Sequence, residues 1–180
     1  MRDLCARVIR GKYKMNKSEF RVVINATKEK TWEVLFAQYG DIHVHNPGMV
    51  SSNYMHNATR GELNCERHCQ FNDKLSLDEK ITEMDENNHF TVVVTKHNLP
   101  FIKGMSARYE LSSIGNMTGD EVTEVKMTSF VLFSPGFMKY LMRGQLGKGL
   151  IQHLFGLKYY IETGGTVNSH NYSEIFKSYK

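Results

Sequence analysis

The stretch that decides the fold is 62–84, ELNCERHCQFNDKLSLDEKITEM. Two alternating runs flank Asn72-Asp73-Lys74. Successive side chains of a strand point to opposite sides, so Leu63, Cys65, Arg67, Cys69 and Phe71 share one face, as do Leu75, Leu77, Glu79, Ile81 and Glu83. A three-residue loop at 72–74 closes a hairpin whose register sets Phe71 opposite Leu75, Cys69 opposite Leu77 and Arg67 opposite Glu79. The expectation is a guanidinium and a carboxylate paired on the apolar face. Burying either charge alone costs several kcal/mol. The pair is therefore either a structural fastening or a polar anchor for a ligand carbonyl, hydroxyl or carboxylate.

Outward from this hairpin, period-two patterns predict further strands near 50–56, 89–97, 105–114 and 122–133, punctuated by Asp-Glu-Asn-Asn at 85–88, a proline, and Gly-Asn-Met-Thr-Gly-Asp at 115–120. Links this short favour antiparallel neighbours, because parallel strands need long crossovers. The hairpin and these strands form a meander. Upstream, Phe20, Val22 and Ile24 alternate in a strand over 18–26, and Thr27 offers an N-cap. Trp32, Leu35, Phe36 and Tyr39 then mark an amphipathic helix over 28–38 that stops at Gly40. Asp41 caps a second short helix ending at Pro47-Gly48.

Downstream, Pro135-Gly136 closes the last strand. Leu141, Leu146, Leu150, Leu154, Leu157 and Ile161 predict a long helix over 137–162, with Gly164 as its C-cap. Gly144, Gly147 and Gly149 weaken its middle by about 1 kcal/mol each relative to Ala, which predicts a kink or fraying there.

The chain has 180 residues, 41% of them hydrophobic, which suits one domain with one core. Three cysteines, unevenly spread, do not suggest a disulfide scaffold, and no apolar run of 18 or more residues suggests a membrane span. Asn-x-Ser/Thr triplets at Asn25, Asn57, Asn116 and Asn171 read as chance matches, because no signal-like segment opens the chain. A cytoplasmic location is expected. Of the formal charge of +4, residues 1–17 hold +5, and the remaining 163 residues carry 17 basic and 18 acidic side chains, net −1. A body without basic excess argues against nucleic acid as a partner. The expected organisation is a basic leader over 1–17, a domain over 18–163 and a loose tail over 164–180, with Met15 as a second candidate start.

Together these elements predict an α+β fold: a seven-stranded curved antiparallel sheet wrapped around a long C-terminal helix, with two short helices between strands 1 and 2. A curled sheet covered by a single helix leaves an apolar cavity. Ile24-Asn25-Ala26 leading to Trp32, Gly61 with Arg67, Leu77 with Glu79, Thr123 with Val125, and the closing Gly156-Leu157-Lys158-Tyr159-Tyr160-Ile161-Glu162 stand in an order that resembles the START-like superfamily. That superfamily is also called SRPBCC or birch-pollen-allergen-like, and the likeness is to its polyketide cyclase/dehydrase and lipid-transport branch, over roughly residues 18–163. The resemblance implies a helix-grip fold with a central ligand cavity. Its members include aromatase/cyclases, lipid carriers, hormone receptors and quinone-binding proteins, so fold alone settles no activity.

The cavity candidates are Arg67 and Glu79, then Tyr109 with Met105 on its face, Ser129 with Met127 on its face, Cys65, Cys69, Trp32, Leu150 and Leu154. His43 and His45 are placed at the cavity mouth; residues two apart do not face each other on a helix, and no third ligand is spaced to join them on zinc. Cys65 and Cys69 lie roughly 13 Å apart along a strand, with His68 on the other face, so they form no chelate. No metal, cofactor or catalytic residue is assigned. The leading expectation is the binding, transport or sequestration of a small hydrophobic or amphipathic molecule, without stable membrane insertion and with room for a homodimer. The alternatives are an aromatase/cyclase or dehydratase working by acid/base chemistry on a polyketide-like substrate, and a protein-interaction module with an incidental cavity.

Overall fold

The structure, a computed structural model, describes residues 15–115 and 121–179. The sequence-predicted leader, apart from residues 15–17, and the turn at 116–120 lie outside the described residues. Seven strands form one curved antiparallel sheet: β1 (Asn16–Ile24), β2 (Ser51–Tyr54), β3 (Glu66–Gln70), β4 (Ser76–Asp85), β5 (His89–His97), β6 (Ile102–Gly115) and β7 (Glu121–Phe133). Their order is β1-β7-β6-β5-β4-β3-β2. Strands β2 to β7 are thus the expected meander, and β1 adds to its far edge beside β7. Asn16 and Lys17, expected in the leader, already pair with Val131 and Phe130.

Between Ile24 and Ser51 the chain crosses from one edge of the sheet to the other. Helix α1 (Lys28–Trp32) is capped by Thr27, whose hydroxyl accepts the Lys30 N–H at 3.1 Å. The single helix expected over 28–38 widens at Glu33–Ala37 into a π-turn, where the Gln38 N–H reaches the Glu33 carbonyl at 2.9 Å. The Ala37 carbonyl is satisfied from outside, by the Gly61 N–H at 2.9 Å and the Tyr54 hydroxyl at 2.9 Å. A Cβ on Gly61 would sit 1.8 Å from the Phe36 carbonyl oxygen, so only glycine permits this docking. A 3₁₀ segment, Tyr39–Val44, follows. The alternating run that begins at Leu63 becomes a strand only from Glu66, because Asn64 adopts a left-handed φ of 70°.

Helix α2 (Met138–Thr163) is continuous through all three of its central glycines. Gly164 caps it with φ 76°, its N–H donating to the Tyr160 carbonyl at 2.8 Å. The tail expected to be loose instead forms α3 (Tyr172–Ser178), whose Tyr172 and Phe176 set ring edges against Phe155 at 5.7 and 4.9 Å. Before it, Val167 is fully buried and donates to the Val44 carbonyl at 3.0 Å. The core lies between the sheet, α1 with its π-turn, and the C-terminal half of α2: Trp32 stacks on Phe36 at 4.4 Å, Phe90 on Tyr109 at 4.8 Å, and Leu154, Leu157 and Ile161 close over them.

Two glycines of α2 sit in opposite environments. A Cβ on Gly156 would stand 2.0 Å from the His45 carbonyl oxygen, whereas one on Gly144 meets nothing within 4 Å. Gly156→Ala should therefore destabilise by about 1–3 kcal/mol through overpacking, and Gly144→Ala should stabilise by about 0.5–1 kcal/mol through helix propensity. Urea denaturation of both variants checks the signs; equal shifts would contradict the docking of α2 on His45.

Candidate functional site

The hairpin register is as the alternation predicts, with Arg67 opposite Glu79 and Cys69 opposite Leu77. A register shift between Asp78 and Glu79, of the kind made by a β-bulge, lies beside the carboxylate. Arg67 Nη2 donates to Glu79 Oε2 at 2.7 Å and Nε to the same oxygen at 3.2 Å. Its Nη1 donates to the Tyr39 carbonyl, and its guanidinium lies 3.8 Å from the centroid of the Tyr39 ring. The Tyr39 hydroxyl in turn donates to Glu79 Oε2 at 3.4 Å. Burial opposes the arginine's charge, but the adjacent Glu79 carboxylate outweighs it and holds Arg67 above its ordinary range. The pair thus ties β3 and β4 to the 3₁₀ segment, a structural fastening that accounts for all of these contacts.

Beside it lies a second polar group that only folding brings together. The His45 ring stacks on His153 of α2 with centroids 5.5 Å apart, and His153 Nε2 lies 3.3 Å from the Tyr109 hydroxyl. Both imidazoles are buried, and neither His45 Nδ1 nor His153 Nδ1 has a hydrogen-bond partner. Burial, with help from His153 and the Arg67 cation, holds His45 well below its ordinary range, and burial with Arg67 lowers His153 to about 3. Burial likewise pushes the Tyr109 hydroxyl up, and the Cys69 thiol to about 12. These groups are neutral at neutral pH and offer hydrogen bonds rather than charge.

The packing loosens toward the N-terminal half of α2. Tyr140, Leu141 and Ile151 are 78%, 69% and 51% exposed; of the expected apolar stripe Leu141 alone is exposed, with Leu146 and Leu150 half-buried. Under this half lies a space of about 30 Å³, lined by Phe20, Ser129, Phe133, Leu146 and Leu150 among others. Ser18, Phe20, Arg143 and Gly147 line both this space and a groove of about 850 Å³ on the outer side, walled in part by Tyr172 and Phe176 of α3.

The remaining candidates separate accordingly. Arg67, Glu79, Tyr109, Cys65, Cys69, Met127, Trp32 and Leu154 are buried in the core, and Met105 packs half-buried at its edge. Ser129 and Leu150 line the small space. His43 is half-buried, its Nδ1 2.9 Å from Ser52 Oγ, but His45 lies deep inside instead of at a mouth, because Gly156 lets α2 close directly over its carbonyl. His153 was not singled out by sequence reasoning; it occupies the helical face that also carries Leu150, Leu154 and Leu157, a polar residue in an apolar stripe.

No protein-family model matches the chain, and no curated protein matches it in sequence. Solved structures do. The protein XoxI from Bacillus cereus superposes with a TM-score of 0.63 at 13% identity, over 82% of this chain and 96% of that one. At that identity the likeness is one of fold.

The histidine pair predicts a pH dependence. An unfolded chain protonates both histidines near pH 6.5, whereas the folded protein keeps His153 neutral down to about 3 and His45 neutral well below the ordinary range. Below about pH 6.5 the unfolded state therefore binds more protons, and stability that is complete above that pH is lost as pH falls. Between about pH 6.5 and pH 5 the loss should approach about 2 kcal/mol for His153, with a further loss from His45. Urea midpoints of the wild type and His153→Gln check it: the variant should lose less stability over this range, and identical pH profiles would contradict the assignment.

Proposed function

We propose that the protein is a START-like, helix-grip protein that binds a small hydrophobic or amphipathic molecule in the groove bounded by β1, α2 and α3. One observation carries this reading: along α2 the exposed Tyr140 and Ile151 line a groove that shares Phe20, Arg143 and Gly147 with the small space beneath the helix. The groove, at about 850 Å³, lies within the roughly 300–1,000 Å³ of small-molecule sites. The three glycines at 144, 147 and 149 keep this half of the helix free of bulk. The fold shared with XoxI and the order of residues resembling the superfamily support the same reading.

The acid/base alternative draws on the Tyr109–His153 contact. Both groups lie beneath the docked half of α2, so a substrate could reach them only if that half lifted. Binding in the groove is the reading that needs no such opening.

A neutral apolar fluorophore, N-phenyl-1-naphthylamine, tests it. The wild type should bind one equivalent, and Gly147→Leu, which puts a side chain where the small space meets the groove, should weaken binding at least tenfold while Tyr109→Phe leaves it unchanged. Absence of binding by the wild type would overturn the proposal.

A further inference from the structure

The groove and the small space beside it carry a pattern of charge that the fold does not use. Lys139, which lines the small space, and Arg143, which lines both, are four residues apart on α2, where like charges repel, and they sit in its first two turns, the end of the helix macrodipole that disfavours cations. The first turn of α2 contains no acidic residue. Lys139 lies 4.7 Å from the Tyr140 ring, and among the described residues Arg143 and Lys148 have no hydrogen-bond or ion-pair partner. The one carboxylate in the groove, Glu19, is held by Lys17 at 3.1 Å. Along the floor run Phe20, Ile151 and Phe176, with Gly144 and Gly147 leaving room above them.

We propose that this groove takes an anionic amphiphile with a single aliphatic chain, its carboxylate or phosphate lying against Arg143 and Lys148 and its chain along Phe20 and Ile151. The inference rests on the binding function proposed above and adds to it the ligand's charge and position. An apolar trough rimmed by unpaired cations complements that ligand and no neutral one so well. Residues 1–14 are a poor occupant by the same criterion, since they carry five cations against one carboxylate. A second copy of the chain would bring its own Arg143 and Lys148 against these.

The test is displacement of N-phenyl-1-naphthylamine from the full chain by four 12-carbon ligands below their micellar concentrations: dodecanoate, dodecyl phosphate, dodecanol and dodecyltrimethylammonium. Both anions should bind at least tenfold more tightly than the alcohol or the cation, and added salt should weaken them selectively. Arg143→Glu, at an exposed position, should remove the anion preference and leave dodecanol unchanged. Gly144→Leu, whose side chain enters open space, should weaken all four while the fold is retained. The order of carboxylate and phosphate tells a fatty acid from a phospholipid-derived head. Dodecanol binding as tightly as dodecanoate, or an Arg143→Glu variant that keeps the preference, would overturn this inference and leave apolar binding standing. A wild type that binds none of the four would overturn both.

Discussion

An arginine and a glutamate withdrawn from water can persist only if each satisfies the other and their remaining polar atoms find partners, and that constraint organises this protein. Arg67 and Glu79 face each other across the β3–β4 hairpin, and Tyr39 supplies a carbonyl, a ring face and a hydroxyl to complete the set. Tyr39 belongs to the segment that crosses from β1 to β2, so the pair fixes that crossing against the sheet. The same segment presents the His45 carbonyl, on which α2 rests through Gly156. The ion pair thereby sets, through one continuous chain of contacts, where the C-terminal half of the long helix must lie.

The consequence is a helix with two characters. From His153 onward its inward face is buried, and the Lys158 ammonium and Glu162 carboxylate bind the β1 end through the Val23 carbonyl and the Asn25 N–H at 2.9 and 2.6 Å. Ahead of Ile151 the hold is lighter: Met138 is buried against Ile102, Val131 and Phe133 with Met142 and Leu146 half-buried beside it, while glycines replace side chains toward the groove and Tyr140 stays exposed. Firmer anchoring at one end and lighter packing at the other suit a protein that takes a molecule into the groove beside the helix without unfolding its core.

The hairpin register could be read from sequence because it depends on local arithmetic: strict alternation in two runs and a three-residue loop leave one pairing of Arg67 with Glu79. The meander followed from link lengths in the same way. What could not be read depends on distant partners. The π-turn at Glu33–Ala37 has carbonyls satisfied by Tyr54 and Gly61, and nothing within the helix signals them. His45 and His153 are 108 positions apart and meet only in the folded chain, and the residues after Gly164 pack as a helix because Phe155 and Tyr159 offer rings to dock on. Leu141 belongs to the predicted helical stripe yet stays exposed, because Met138, Met142 and Leu146 set the inward face and the five-residue step from Leu141 to Leu146 carries Leu141 away from it.

A double-mutant cycle on the ion pair addresses the central claim most directly. Arg67→Met and Glu79→Leu should each destabilise by about 3–5 kcal/mol in urea denaturation, because each strands a buried charge, and together they should cost far less than their sum. Additive losses, or single variants as stable as the wild type, would contradict the role given to the pair.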